Sequence, residues 1–209
     1  MITVIGNLKG GTGKSTLAFN LAVWLVYQKK RIQLYDLDPQ QTLADAVAVR
    51  QEEAYSPALP STQDATNFAD TQSMATDSVD HILMDVSMSN SDSLKKAIRL
   101  SDRIIIPVAP SQADIWSTQR FLKMIREERP APPELIGVVN RADTHPFVIE
   151  TRETEEAMDA LPDMKRIDRR LHNRTAYRRS FSEGLGVFEM EPNGKASHEF
   201  NKVAQLLFS

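Results

Sequence analysis

A glycine-rich segment near the start of the chain carries residue types suited to binding phosphate. It follows a β-branched run, Ile2 to Gly6, which predicts a buried strand, and it precedes apolar residues at helical spacing. Glycines let the backbone turn tightly with its N–H groups facing phosphate oxygens, and the N-terminus of the next helix adds positive potential. The segment reads Asn7-Leu8-Lys9-Gly10-Gly11-Thr12-Gly13-Lys14-Ser15-Thr16.

Two lysines and a serine of this segment define its chemistry more closely. Lys14 would supply a fixed positive charge to the β- and γ-phosphates, and the hydroxyl of Ser15 suits a magnesium ligand. The strict phosphate-loop pattern begins with glycine, where this chain has Leu8. The observed pattern is K-G-G-x-G-K-[ST], with a second lysine, Lys9. The segment therefore predicts a site for ATP and Mg²⁺.

Three aspartates follow predicted strands and complete this site. Asp36 is the last residue of the predicted strand from Ile32, and Asp38 follows two residues later. Asp85 closes a strand that begins near Ile82. A carboxylate at such a strand end can hold a water of Mg²⁺, and another near the γ-phosphate can position the attacking water. We assign the first role to Asp85 and the second to Asp38, which we also expect near the metal. Asp36 fits a catalytic role and a structural capping role equally.

Strands and helices alternate along the chain, which predicts an α/β fold: a doubly wound, mostly parallel sheet with helices on both faces. No linker is long enough to divide the chain, so residues 1–209 are expected to form one domain. Residues 55–80 are expected to be loops with one short helix near 68–74. Further strands are expected at 103–108 and 135–140, and helices at 15–30, 40–53, 92–100, 113–128, 147–160, 175–183 and 196–208.

Composition and charge narrow the class of protein. The 209 residues include no cysteine, which excludes disulfides and cysteine-held metal clusters. Without a basic leader or a long apolar run, the chain is expected to be cytoplasmic, with no membrane partner. The basic cluster at 163–181 could be a solvated helical face with ion pairs or a surface that binds a polyanion. Its members are Lys165, Arg166, Arg169, Arg170, Arg174, Arg178 and Arg179.

The motifs resemble those of the ParA/MinD family of positioning ATPases over nearly the whole chain. The resemblance rests on the loop from Lys9 to Thr16, on Asp36-Leu37-Asp38-Pro39-Gln40 and on the apolar strand that ends at Asp85. The loop after that strand differs, since Val86-Ser87-Met88 stands where the family usually has Pro or Gly. Supporting segments are Pro107-Val108-Ala109-Pro110-Ser111 with Asp114, Val138-Val139-Asn140-Arg141, and Arg174-Thr175-Ala176-Tyr177 through Glu189.

The resemblance implies roles for individual residues. Lys9 would be the signature lysine that reaches the nucleotide of a second copy, so that ATP is enclosed within a homodimer. Lys14 and Ser15 would bind phosphate and Mg²⁺, and Asp38 would support hydrolysis and the switch between monomer and dimer. Asn140 would contact adenine, with Arg141 beside it. The remaining nucleotide contacts would be Gly10, Gly11, Thr12, Gly13 and Thr16.

Within the family, the chain looks like the small ParA type. Membrane-bound relatives end in a basic amphipathic helix, whereas residues 199–208 contain one lysine. Small ParA proteins bind DNA without sequence preference as ATP dimers, and a cargo adaptor that stimulates hydrolysis releases them. The resemblance thus implies nucleoid association and plasmid, chromosomal or protein cargo, such as a carboxysome. The DNA contacts would be Arg169, Arg170, Arg174, Arg178 and Arg179.

Two other functions are compatible with the same motifs. One is an ATP-dependent small-molecule ligase resembling dethiobiotin synthetase, and the other is a nucleotide-switch adaptor that never binds DNA. Asp36-Leu37-Asp38-Pro39-Gln40 and Pro110-Ser111 fit the positioning family better than the ligase. Binding to DNA that depends on ATP would separate the positioning ATPase from both alternatives.

Overall fold

The computed structural model describes residues 1–64, 79–145 and 147–208. The strands in these ranges are β1 (Ile2–Ile5), β2 (Ile32–Asp36), β3 (Thr62–Gln63), β4 (His81–Asp85), β5 (Arg103–Val108), β6 (Glu134–Ala142) and β7 (Met164–His172). They form one sheet in the order β3-β2-β4-β1-β5-β6-β7. Every neighbouring pair is parallel. The predicted α/β class is confirmed, with parallel pairing throughout the described sheet.

Helices cover both faces of the sheet, as predicted for a doubly wound fold. They are α1 (Lys14–Tyr27), α2 (Thr42–Glu52), α3 (Ser91–Leu100), α4 (Gln112–Glu128), α5 (Glu150–Asp159), α6 (Thr175–Ser182), α7 (Val187–Met190) and α8 (Lys195–Phe208). Consecutive strand residues such as Val4 and Ile5 belong to opposite apolar clusters. The Ile5 cluster includes α1, α2, α6, α7 and α8, and the Val4 cluster includes α3, α4 and α5. Across the described ranges, no helix has the length and apolar character needed to cross a bilayer.

The strand order brings the candidate residues together at the carboxyl ends of the strands. β1 lies between β4 and β5. Strands β2, β3 and β4 lie on one side of β1, and strands β5, β6 and β7 lie on the other side. Asp85 is in register with Ile5 on one side and with Asp36 on the other. Because all strands are parallel, the loops after β1, β2 and β4 meet at the same carboxyl edge, which is the usual ligand site of such sheets.

The basic cluster at 163–181 differs most from the sequence-based expectation. Residues 164–172 form β7, an edge strand that pairs with β6, so the hypothesis of a helical face is wrong for this part of the cluster. The buried residues of β7 include Met164, Ile167 and Leu171. Their spacing of three and four matches that of an amphipathic helix, which is why periodicity gave no strand signal here. Hydrogen bonding of these residues to β6 therefore determines their strand conformation, and the spacing of their apolar side chains does not.

Smaller differences concern the ends of elements. β3 lies in a stretch predicted as loop, and the helix predicted near 68–74 lies outside the described residues. α2 begins at Thr42 rather than Gln40, and α5 begins at Glu150 rather than Phe147. The expectation that the C-terminal helix packs on the core is confirmed, because the buried face of α8 includes Phe200.

Candidate functional site

The phosphate loop connects β1 to α1 at the carboxyl edge of the sheet. Gly11 and Gly13 have φ angles of 77° and 88°, in the left-handed region that glycine adopts without strain. A Cβ atom at position 13 would also lie only 2.4 Å from Nδ2 of Asn140. The loop therefore requires glycine at this position for its conformation and for its close contact with β6.

The two lysines of the loop lie in different environments. Lys14 is buried at the start of α1, and its Nζ donates a hydrogen bond to the carbonyl oxygen of Lys9 at 3.3 Å. Lys9 itself is exposed. The Lys14 ammonium group is thus held within the loop, where a phosphate would bind, whereas the side chain of Lys9 is open to another molecule.

Asp85 is a buried carboxylate next to this loop. Neither of its oxygens has a hydrogen-bond partner of normal geometry among the described residues. The hydroxyl oxygen of Thr12, which is also buried, likewise has no such partner among the described residues. Burial raises the pKa of Asp85 to about 7, although the neighbouring Ser15 hydroxyl and the Lys14 ammonium group lower it. A buried acceptor without a donor suits a cation or a cation-bound water. Ser15 and Asp85 therefore fit a magnesium site.

Asp36 and Asp38 differ in what their carboxylates contact. The carboxylate of Asp36 is buried and accepts hydrogen bonds from the backbone N–H groups of Ala44 at 2.9 Å and Asp38 at 3.1 Å. Burial raises the pKa of Asp36, and these backbone donors oppose the shift. Of its two possible roles, this geometry supports the structural one, since Asp36 attaches the start of α2 to the strand end. Asp38 is half-buried and close enough to Asp85 to raise that residue's pKa.

The end of β6 contacts the phosphate loop through two consecutive side chains. Nδ2 of Asn140 donates to the carbonyl oxygen of Thr12 at 2.7 Å, and Nη1 of Arg141 donates to that of Gly11 at 2.6 Å. Arg141 has a φ of 59°, which is uncommon for a residue with a side chain. Both residues predicted at the adenine site thus lie against the loop itself.

A pocket opens beside the loop, between α1, β6, β7, α6 and α8. Leu17, Leu171 and Phe200 supply apolar surface, and Tyr177 lines the same pocket with its hydroxyl donating to the carbonyl oxygen of Ala196 at 3.1 Å. A mostly apolar pocket with a few polar groups is typical of a small-molecule site. Its position next to the loop suits the nucleoside of a bound nucleotide. The polar lining comprises Thr16, Asn20, Asn140, Arg141, His172, Asn173, Arg174 and Arg178.

The apolar lining of this pocket was not predicted from the sequence. Leu17, Leu171 and Phe200 come from three separate elements, and each has the ordinary pattern of a core residue. The family resemblance covered Tyr177 without assigning it a role. No spacing signal could have found these residues, because only the packing of α1, β7, α6 and α8 brings them together.

Three of the five arginines expected to contact DNA already have carboxylate partners. The pairs are Arg169 with Asp168 at 3.4 Å, Arg170 with Glu155 at 3.1 Å and Arg174 with Glu199 at 2.5 Å. Arg178 and Arg179 are exposed on α6 and form no ion pair within the described ranges. Arg178 also lines the pocket. The structure therefore divides the five arginines into a paired group and an unpaired group.

A glycine-rich phosphate loop after the first strand of a parallel, doubly wound sheet defines the P-loop nucleoside triphosphatase fold. The chain belongs to the CobQ/CobB/MinD/ParA nucleotide binding domain family, whose model matches residues 3–185. The resemblance to ParA/MinD proteins stated from the motifs is therefore confirmed.

Known relatives support the same assignment. The chain is similar to the maintenance of carboxysome distribution protein A of Halothiobacillus neapolitanus, with 29% identity over 203 residues, 95% of this chain and 92% of that protein. It is 48% identical over 48 residues to the chromosome-partitioning ATPase Soj of Thermus thermophilus, covering 23% of this chain and 19% of that one. Apo McdA from Cyanothece has a TM-score of 0.77 and 17% identity, over 99% of this chain and 98% of its own. MinD from Pyrococcus horikoshii complexed with Mg-ADP has a TM-score of 0.73 and 17% identity, and the match covers 100% of this chain and 96% of that one. The two structures share the fold of this chain.

Proposed function

We propose that the protein is a positioning ATPase, that residues 1–209 act as one domain, and that ATP binding pairs two copies. The observation that carries this proposal is the different placement of two lysines: Lys14 is buried in the loop and Lys9 is exposed beside it. A buried lysine can neutralise the nucleotide of its own chain, and an exposed one can reach the nucleotide of a second copy. Similarity to a carboxysome distribution protein along nearly the whole chain supports the same class.

The site supplies charge and positioning more than a strong base. Lys14 and the N–H groups of the loop would bind the phosphates, and Ser15 and Asp85 would hold Mg²⁺, which supplies charge neutralisation when bound. Asp38, half-buried near Asp85, would orient the attacking water. The adjacent pocket would take the adenosine. Since none of these residues is a strong general base, we expect slow intrinsic turnover that a partner protein raises.

An Asp38→Ala variant tests the assigned hydrolytic role. It is expected to bind ATP as the unmodified protein does but to release phosphate slowly, so that the ATP dimer accumulates. Phosphate release and size-exclusion chromatography measure the two effects. Asp45→Ala is a matched control, because Asp45 is exposed on the following helix. Equal turnover in the Asp38→Ala variant and the control would remove Asp38 from the mechanism.

We further propose that the ATP dimer binds DNA without sequence preference and thereby associates with the nucleoid. Arg178 and Arg179 support this best, because they are exposed and unpaired within the described ranges. Arg169, Arg170 and Arg174 would first have to leave their carboxylate partners. A cargo adaptor would stimulate hydrolysis and release the protein. A protein assembly such as a carboxysome is the favoured cargo, given the relative that is similar over most of the chain.

The proposal is tested by measuring DNA binding of the purified protein with ATP, with ADP and without nucleotide, each at two salt concentrations. We expect binding only with ATP, weakened by salt because phosphate contacts release counterions. ATP hydrolysis without DNA binding in any state would favour the nucleotide-switch adaptor. Rapid consumption of ATP with a small acid or amine, independent of DNA and partner, would favour the ligase.

A further inference from the structure

We propose that the cleft between β7 and α8 binds a chain of phosphate groups, and that Glu199 closes this site by holding Arg174. The cleft lies beside the outer strand β7, away from the phosphate loop, and every residue that lines it is charged or a histidine. Chains of phosphate groups occur in DNA and in free polyphosphate. The site therefore goes beyond the proposed function and does not depend on it.

Two lysines of α8 line the cleft without a partner. Lys195 and Lys202 are both exposed, and neither forms an ion pair within the described ranges. Glu199 stands four residues after the first lysine and three before the second, so the three side chains share one face of the helix. At this spacing Glu199 could pair with either lysine. Because it pairs with neither, both ammonium groups are available to a ligand.

The carboxylate of Glu199 instead binds the end of β7 and the residue that follows it. It accepts hydrogen bonds from Nη2 of Arg174 at 2.5 Å and from Nε of the same side chain at 3.1 and 3.2 Å. The backbone N–H of His172 donates to its Oε2 at 3.4 Å, and Nδ1 of His172 lies 3.0 Å from its Oε1. Burial alone would raise the pKa of Glu199, but Arg174 and His172 together lower it. Glu199 is thus an internal anion at the cleft.

Arg174 lies between this cleft and the nucleotide pocket. Its side chain lines the nucleotide pocket and, with Lys195, a further opening beside the cleft. The hydrogen bond to Glu199 raises the pKa of its guanidinium group. The planar fork of a guanidinium group fits the oxygens of a carboxylate and those of a phosphate equally well. A phosphate group that enters beside Lys195 can therefore replace Glu199 as the partner of Arg174.

The balance of charge in the cleft depends on Glu199. Four Lys and Arg side chains line the cleft together with three carboxylates. Two of these carboxylates, Glu155 and Asp168, pair with arginines of β7. The third is Glu199, and its displacement would leave Arg174 and the two lysines of α8 without an anion. The protein thus places its own carboxylate where an external phosphate would bind, which is an autoinhibitory contact.

The test measures binding of duplex DNA and of long-chain polyphosphate to protein saturated with Mg²⁺-ADP, which occupies the phosphate loop. Glu199→Gln keeps the shape of the side chain and removes its charge. It should strengthen binding of a phosphate chain by about fivefold to tenfold, as for one charge-assisted hydrogen bond gained by the freed Arg174. Glu153→Gln is the matched control, because Glu153 is exposed on α5 and has no ion pair within the described ranges. It should change binding by less than about twofold.

Two double variants identify the groups that bind the ligand. Glu199→Gln/Arg174→Gln should lose the gain, because the freed arginine makes the new contact. Lys195→Gln/Lys202→Gln should weaken binding by the otherwise unmodified protein and lower its salt slope by about 1–2. Lys29→Gln/Lys30→Gln removes the same charge at exposed positions beyond the end of α1 and should have little effect. If Glu199→Gln does not fold, as judged by circular dichroism, the exposed lysines still provide the test.

A gain with either ligand supports the site, and the larger gain identifies the source of the phosphate chain. Equal affinities in Glu199→Gln and Glu153→Gln would overturn the assignment. A gain that persists in Glu199→Gln/Arg174→Gln would overturn it too, since overall charge would then govern binding. A protein that binds no DNA in any nucleotide state, but whose Glu199→Gln variant binds polyphosphate more tightly, would refute the proposed DNA binding and leave the cleft assignment intact.

Discussion

Two buried charged side chains, Arg50 on α2 and Asp85 at the end of β4, differ in how completely the protein satisfies them. Nη1 and Nη2 of Arg50 donate to the two carboxylate oxygens of Glu189 at 2.8 and 2.9 Å. The same guanidinium group donates to the carbonyl oxygens of Pro57 and Gly184. Neither oxygen of Asp85 has a hydrogen-bond partner of normal geometry among the described residues, although Ser15 and Lys14 lie close enough to lower its pKa.

The difference separates charges that maintain the fold from charges that serve the ligand. Arg50 and Glu189 join α2 to α7 with every donor of the guanidinium group used, and such a site has no room for another ligand. Asp85 is kept in the interior although burial disfavours its charged form, and Ser15 and Lys14 only partly offset this cost. Native proteins rarely leave buried polar groups unpaired, so an unpaired one at a ligand edge indicates a partner supplied from outside.

Replacing Arg50 should produce the largest loss of stability. Arg50→Ala leaves the Glu189 carboxylate buried without its partner, and breaking such a pair lowers the free energy of unfolding by about 3–5 kcal/mol. Denaturant unfolding of the nucleotide-free protein measures the change. The double variant Arg50→Met/Glu189→Leu should lose less, because no buried charge remains unpaired. A loss below about 1 kcal/mol for Arg50→Ala would show that the pair does not maintain the fold.

Replacing Lys14 should have the opposite signature, a large effect on ligand binding and a small one on stability. Its ammonium group forms one hydrogen bond within the described ranges, to the carbonyl oxygen of Lys9, and lies near Asp85. Lys14→Met is therefore expected to remove ATP binding, since the phosphates lose their main counter-charge, and to change the free energy of unfolding by less than about 1 kcal/mol. Calorimetric titration with Mg²⁺-ATP and denaturant unfolding give the two values.

Lys9→Met is the matched control for this experiment. Because Lys9 is exposed, its replacement should preserve ATP binding by the monomer and prevent dimer formation. Loss of ATP binding by the monomer in both variants would mean that the two lysines serve one nucleotide, and the distinction between them would fail.

Asp85→Asn should stabilise the nucleotide-free protein while impairing its Mg²⁺-dependent binding of ATP. The variant removes a buried charge whose desolvation is only partly offset by Ser15 and Lys14, which is expected to raise the free energy of unfolding by about 1–3 kcal/mol above pH 7. Burial raises the pKa of Asp85 from 3.8 to about 7. The contribution of Asp85 to stability is therefore unimpaired below pH 3.8, falls as the pH rises and reaches its minimum above about pH 7.

The difference between the two proteins should follow the same titration. It should be small in acid, grow as the pH rises and become constant above pH 7, as measured by denaturant unfolding in EDTA. Mg²⁺-ATP should stabilise the unmodified protein and have little effect on the variant. A destabilised variant at pH 8 would mean that Ser15 and Lys14 stabilise the Asp85 carboxylate by more than its burial costs.

The sequence alone placed the glycine-rich loop and the strands that end in aspartate correctly, because these features are local. Glycine and lysine spacing determines the shape of the loop, and apolar runs that end in aspartate determine where Asp38 and Asp85 lie. β2 was expected at 32–36, where the structure has it. Parallel pairing then brings the strand ends to one edge without further information.

The region around β7 could not be predicted in the same way. Met164, Ile167 and Leu171 have helical spacing on a strand, and the ion pair between Arg174 and Glu199 joins residues 25 positions apart. Whether an arginine is free to bind DNA depends on such long-range partners. Net charge and clustering in the sequence contain no information about them.

Replacing the unpaired arginines, Arg178 and Arg179, should have a smaller effect than the preceding substitutions. It applies the comparison of paired and unpaired charges to the protein surface. Arg178→Ala/Arg179→Ala is expected to weaken DNA binding in saturating ATP by roughly tenfold and to reduce the salt slope by about 1–2, one unit for each lost phosphate contact.

Arg166→Ala/Arg170→Ala removes the same charge from arginines that already pair with Glu155. It should change DNA binding less and stability more. ATP affinity must be measured for each variant, because Arg178 lines the pocket. If both double variants lose DNA affinity equally, overall charge governs binding, and the distinction between paired and unpaired arginines has no functional meaning.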